Sequence, residues 1–472
     1  MIRAAIREPA RQVAPAGRHL STYVAVMLVC MVCVEATNTV RLWSAPLSPR
    51  RFPFDYVSRG VWSAGAFVRD PADYTMDSAA PIKAATRMFE GDTYLYRDYA
   101  PNRAALVYPP TTGVLMLPYG LISRKVGLAA ATGILDITGR LCVLASILLS
   151  AALLPGIGRR WRYWLAAVIV MAAFYPVRWT LICVQVQSVI TLLIVGAVVA
   201  YGRSHNVSAG VLVGLAACLK PQYGVLVLFG LARKQWRFAA AACATGLILF
   251  AASVAMVGLA PWEDYVFRIV PIHSAGFGYY PNQSINGLVH RWLGHPTDLV
   301  SPPESLVVRI ATTLGGIAFI ALAVWPRGTG RGPAVRQSLE VEPSNGQPGP
   351  NPSEAFLPRA LDLGIAALAS TMACPTVWDH HFAWCIVLFC LCLAAGRQAA
   401  LSKRFLWILT ASYLLLGTYF LPFEALPAGP ASLLNSPGFA GAVLLLGAAW
   451  YARAQLGHFT DACGPTSRGL HT

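Results

Sequence analysis

Runs of apolar residues recur along this chain at lengths suited to crossing a bilayer, which takes about 20 residues of helix. Twelve candidates stand out, at 22–40, 127–155, 161–177, 182–201, 207–220, 221–232, 238–260, 305–325, 358–375, 382–396, 405–421 and 436–452. Two of them, 207–220 and 221–232, are short and meet at Lys220-Pro221. The pattern predicts an all-α integral membrane protein with about twelve transmembrane helices. Between the first two runs lies an amphipathic stretch in which Asp77 precedes a helical segment, Ser78 to Phe89, that Gly91 ends. An aromatic cluster (Tyr94, Tyr96, Tyr99) then leads to Tyr108-Pro109-Pro110. The segment 106–122 is apolar but interrupted by Pro109, Pro110 and Pro118, so it is expected to lie on the surface or re-enter rather than cross. A Pro-, Gly-, Ser- and Glu-rich stretch, 327–357, reads as a disordered cytoplasmic linker. It divides an N-terminal module, 1–326, from C-terminal helices, 358–472.

Composition sharpens this picture. Of the 472 residues, 56% are hydrophobic and 12% charged, with a mean hydropathy of +0.54, too little charge for a soluble surface. The net charge of +16 lies largely in short loops. Basic clusters at Arg159–Arg162, Arg233–Arg237, Arg327–Arg336 and Arg397–Arg404 all become cytoplasmic if the N-terminus is inside. The excess is therefore read as topology, and no nucleic-acid partner is expected. No removable signal peptide is visible after Arg3, Arg7, Arg11 and Arg18. Cys30 and Cys33 have CxxC spacing but sit in an apolar run, and most other cysteines do too, arguing for neither disulfides nor zinc. The orientation leaves three unusually polar stretches on the outer side, 44–126, 261–304 and 374–381.

Four places in those stretches can carry chemistry. Asp77 has the character of a general base, since a carboxylate in a low-dielectric pocket can have the raised pKa that accepting a hydroxyl proton requires. The competing reading is a helix N-cap, and Asp55, Asp73 and Asp92 compete for the catalytic role. Lys220 interrupts two apolar runs at membrane depth, where a lysine is functional by default and suits a lipid phosphate, or else snorkels to the interface. Asn282, Gln283 and Ser284, followed by Arg291, offer amides, a hydroxyl and a guanidinium for sugar and phosphate, or cap the next helix. Trp378, Asp379, His380 and His381 open a further span; two adjacent histidines do not share a helix face, so a metal chelate from that pair is not expected. No Walker loop, dinucleotide fingerprint, HExxH motif or nucleophile elbow occurs, which disfavours a nucleotide-sugar donor.

In order along the chain, these motifs resemble glycosyltransferase family 87, the polyprenyl-phosphate-dependent membrane glycosyltransferases. The resemblance rests on Asp77, Ala84-Ala85, Gly91 and Tyr94 or Tyr96, then Tyr108-Pro109-Pro110, Gln187, Leu219-Lys220-Pro221, Asn282-Gln283-Ser284 with Arg291, and Pro375 to His381. It departs from the family pattern at Pro81 and Ile82, at Cys374 and Val377, and before Gln187. The resemblance implies a GT-C-type fold with outer-face loop helices in a bacterial inner membrane. It also implies an inverting transfer of a sugar, most simply mannose, from a polyprenyl-phosphate donor to a glycolipid or polysaccharide acceptor on the periplasmic face. Asp77 would be the base; Lys220, Arg291 and His380 or His381 would stabilise the departing phosphate, with no cofactor and no metal. Tyr108, Gln187, Asn282, Gln283, Ser284 and Trp378 complete the expected substrate site. The alternative from another class is a transporter or flippase of lipid-linked saccharides, for which polar residues should spread through both halves of the spans.

Overall fold

The computed structural model describes residues 29, 33, 76–96, 106–154, 161–295, 305–325, 352–418 and 429–462. The predicted span 22–40, Asp55, Asp73 and most of the 327–357 linker lie outside these, as does the side chain of Asp77. Among the described residues the chain is helical, and the extended pairing present is an isolated antiparallel bridge between Asn282 and Trp378.

Helix α1 (Met76–Phe89) is followed by two short helices, α2 (Pro110–Leu115) and α3 (Leu117–Val126), and then by the long α4 (Leu128–Ala151). Next come α5 (Trp161–Ala173), α6 (Tyr175–Ile182), α7 (Gln187–Gly202), α8 (Asn206–Leu219), α9 (Val225–Ala232) and α10 (Trp236–Val257). Short α11 (Ala260–Asp264) and α12 (Val270–Ala275) flank a π-helical turn, and α13 (Ile285–Trp292) precedes α14 (Leu306–Val324). The C-terminal part holds α15 (Pro352–Met372), α16 (Cys385–Gln398), α17 (Lys403–Gly417) and α18 (Pro437–Ala462). The helix at Pro352 takes in the last residues of the expected linker.

The expected count of about twelve spans is not confirmed among the described residues. Among the described residues six helices are long and apolar enough to cross, and a seventh span is possible if α5 and α6, bent by 59° to one another, act as one. Prolines explain much of the difference. Pro176 opens α6 after a break at Phe174, and Pro221 ends α8 because proline lacks the N–H that would continue the ladder. At 16 and 14 residues, α7 and α8 are about 24 and 21 Å long, short of the roughly 30 Å hydrocarbon core. The segment 106–122 forms two helices of 6 and 10 residues, neither long enough to cross.

Packing follows small residues. A Cβ at Gly210 of α8 would lie 2.2 Å from the Phe238 carbonyl oxygen, and one at Gly214 2.7 Å from that of Ala242, so α8 and α10 touch backbone to backbone. Helix α16 is buried almost throughout, while α10 and α14 expose Leu247, Ile248, Leu306 and Leu314 as a lipid-facing surface requires.

Candidate functional site

Lys220 is the pivot. As the residue before proline it is pushed out of the helical region, to φ −139° and ψ 107°, which turns its side chain off the end of α8. There it is 8% exposed, and its Nζ donates to Oε1 of Gln187, the first residue of α7, at 2.8 Å. The turn before Gln187 contains Val184 at φ +46°, a strained conformation for a β-branched residue and one that clusters at functional sites.

The broken helix also frees carbonyls. Cys218 O is taken up by the hydroxyls of Thr111 (2.7 Å) and Thr112 (3.2 Å), the first turn of α2. Tyr108-Pro109-Pro110 is thereby fixed beside Lys220, and the backbone of Tyr108 is held in turn by Tyr96 Oη at 2.7 Å. Helix α1, which carries Asp77 in its first turn, packs on α2 and α3: a Cβ at Gly120 would lie 2.8 Å from the Ala85 backbone.

From the other side comes the segment 374–385. His380 and His381 are buried, with ring centroids 4.7 Å apart and planes at 87°, and Lys220 is close enough to act electrostatically on both and on Cys374. Neither histidine has a hydrogen-bond partner at Nδ1. Gln222 Nε2 is likewise without a partner among the described residues, while Tyr223 lies within side-chain hydrogen-bonding reach of Gln187, Trp384 and Thr371. Buried polar atoms are nearly always paired, so a cluster of buried polar side chains around one lysine is suited to a polar ligand. Tyr223 and Trp384 were missed in the sequence reading. Their signal was position, three residues after Lys220 and four after His380 inside apolar runs.

Asn282, Gln283, Ser284 and Arg291 have a different setting. Asn282 Oδ1 accepts from Val377 N–H at 3.0 Å, and its Nδ2 donates to the carbonyls of Phe277 and Pro375. Ser284 donates to Pro375 O at 2.7 Å and caps α13 through Gly287 N–H. Gln283 bridges Tyr280 O, Asn435 O and Phe439 N–H. Arg291 has no exposed surface; Nη1 donates to the carbonyls of Tyr279 and Asn282 and Nη2 to Ser436 Oγ. Burial lowers its pKa to about 10, against the nearby charge of Asp379, so it stays cationic at neutral pH. Through Val377, Pro375 and Tyr279 these four brace the segment that carries Trp378, whose ring meets Tyr279 at 5.6 Å, while Lys220 links Gln187 with His380 and His381. Among the described residues no group of three His, Cys, Asp or Glu side chains is close enough to hold a metal ion.

The model of glycosyltransferase family 87 matches residues 106–339, about half of the chain, from just before Tyr108 to beyond Arg291. The chain belongs to glycosyltransferase family 87. It is accordingly a membrane glycosyltransferase. Two proteins of Mycolicibacterium smegmatis are similar along most of their length. One, a polyprenol-phosphate-mannose-dependent alpha-(1-2)-phosphatidylinositol mannoside mannosyltransferase, is 26% identical over 333 residues, 68% of each chain. The other, a polyprenol-phosphate-mannose-dependent alpha-(1-2)-phosphatidylinositol pentamannoside mannosyltransferase, is 26% identical over 330 residues, 66% of this chain and 67% of that one. No solved structure matches significantly. The family match stops short of both Asp77 and the 374–381 segment, whose assignment rests on the residues themselves.

Proposed function

We propose that this glycosyltransferase moves mannose from a polyprenyl-phosphate donor to a hydroxyl of a glycolipid acceptor, with inversion and on the periplasmic side of a bacterial inner membrane. The names of its two mycobacterial relatives support the donor and the glycolipid class. The observation that carries the reading is the cluster around Lys220: a buried ammonium, bonded to Gln187, amid the polar side chains of Tyr223, His380, His381 and Trp384. A leaving phosphate needs positive charge and hydrogen-bond donors and no proton, and this is that inventory. In a single displacement the acceptor oxygen bonds to the anomeric carbon as the carbon–oxygen bond to phosphate breaks. The electron pair leaves with polyprenyl phosphate and the acceptor proton goes to a carboxylate, for which we propose Asp77.

The outward orientation is supported by the gathering of Arg233, Arg359 and Arg453 at the opposite end of the bundle, as the positive-inside tendency requires. In this reading Tyr108 and Trp378 border the sugar, and Asn282, Gln283, Ser284 and Arg291 hold the platform that presents Trp378 and the histidines. The test is transfer by purified protein in nanodiscs, with radiolabelled polyprenyl-phosphate mannose and a lipid extract, comparing wild type with Asp77→Asn. Loss of transfer with donor binding kept supports Asp77 as base. Equal transfer in both moves the base to Asp55, Asp73 or Asp92.

A further inference from the structure

At the end of the bundle away from Lys220, two guanidinium groups pair with one carboxylate and a third stands nearby. Arg233 Nη1 and Arg453 Nε each lie 3.0 Å from an oxygen of Asp362, and Arg233 Nη2 donates to Trp325 O at 3.1 Å. Arg359 stands beside them, its Nε on Tyr201 O (3.0 Å), its Nη2 on Asn206 Oδ1 (2.7 Å) and its guanidinium 4.6 Å from the centre of the Tyr201 ring. All three arginines and Asp362 act electrostatically on Tyr201, so they form one cluster. Among the described residues, three positive charges and one negative leave it at +2. The side chains of Arg233, Asp362 and Arg453 are only 11, 8 and 6% exposed, and Arg233 Nε is buried without an acceptor. Buried charge of one sign is costly unless something of the other sign meets it.

The depth of the cluster says what that is. Trp164, Trp236, Trp325 and Trp407 all expose their side chains at this same end, on α5, α10, α14 and α17, as an aromatic girdle does at the level of lipid headgroups. The adjoining faces of α10 and α14 are apolar and exposed. Guanidinium forks match phosphate oxygens in geometry and charge. We propose that Arg233, Arg359 and Arg453 bind the phosphate of an anionic phospholipid headgroup from the leaflet at this end, tying the ends of α8, α9, α15 and α18 together.

The test is thermal unfolding of the purified protein in nanodiscs of phosphatidylcholine, with and without phosphatidylglycerol. Phosphatidylglycerol should raise the midpoint of wild type by about 3 °C or more. Arg359→Gln, which leaves both Asp362 pairs in place, should lose most of that lipid-dependent rise whatever its own baseline, and Arg359→Lys should keep part of it. An equal midpoint in both lipids overturns the proposal, as does a full rise in Arg359→Gln. Inorganic phosphate producing the same rise in phosphatidylcholine discs would overturn the lipid source in favour of a soluble anion.

Discussion

Lys220 Nζ donates to Gln187 Oε1 at 2.8 Å across 33 residues of sequence, and this bond joins the broken end of α8 to the start of α7. The amide fixes the ammonium while lying within hydrogen-bonding reach of Tyr223, so one pair both positions a charge and ties it to a buried phenol. Replacing Lys220 by Met should therefore cost roughly 10²–10³-fold in kcat with the protein still folded, the scale of removing one preorganised group from developing charge. Steady-state transfer together with a thermal midpoint separates this from misfolding; a midpoint collapse with normal turnover per folded molecule would contradict it.

Arg291 should behave in the opposite way. Both of its Nη groups are engaged, by Tyr279 O, Asn282 O and Ser436 Oγ, and the side chain has no exposed surface. Arg291→Ala leaves those acceptors unmet and should destabilise by about 3–5 kcal/mol, on the scale of removing one partner from a buried charged network. Denaturant or thermal unfolding in nanodiscs reads this directly. A variant of unchanged stability and abolished donor binding would return Arg291 to the substrate.

The α8–α10 contact is tested by Gly210→Val. Its Cβ would meet the Phe238 carbonyl oxygen at 2.2 Å, a backbone atom that cannot swing aside. The helices must separate, at a cost of about 1–3 kcal/mol or more. Gly133→Val on α4, where an added Cβ meets nothing within 4 Å, is the control and should leave the midpoint nearly unchanged.

His290 predicts a pH dependence. Burial lowers its pKa below the usual 6.5, and its Nδ1 sits 2.6 Å from His295 Nδ1, where one ring must donate to the other. The folded state favours the neutral ring, so on acidification the unfolded chain takes the proton first. Stability at this site is present at neutral pH and is lost as pH falls below about 6.5. The thermal midpoint should drop between pH 7 and pH 5.5, with a shallower slope in His290→Gln; identical slopes would place the titration elsewhere.

The apolar runs, the basic loops and the motifs from Tyr108 to Arg291 were enough to read the membrane class and the family from the chain, because hydropathy and proline act locally. Pro221 is the clearest case: the sequence says that a helix stops there and that Lys220 is turned out. What it could not say is where the lysine points. The bond to Gln187, the hydroxyls of Thr111 and Thr112 on Cys218 O, and the approach of His380 and His381 to Lys220 join positions from 33 to about 160 residues apart. Side-chain type marked Gln283 and Arg291 as ligand-binding groups, yet most of their hydrogen bonds go to backbone carbonyls that the turns around 279–283 and 435 leave for nearby polar side chains to satisfy. Whether a polar side chain serves the fold or a ligand depends on which unpaired atoms the packing brings to it, and that is decided in three dimensions.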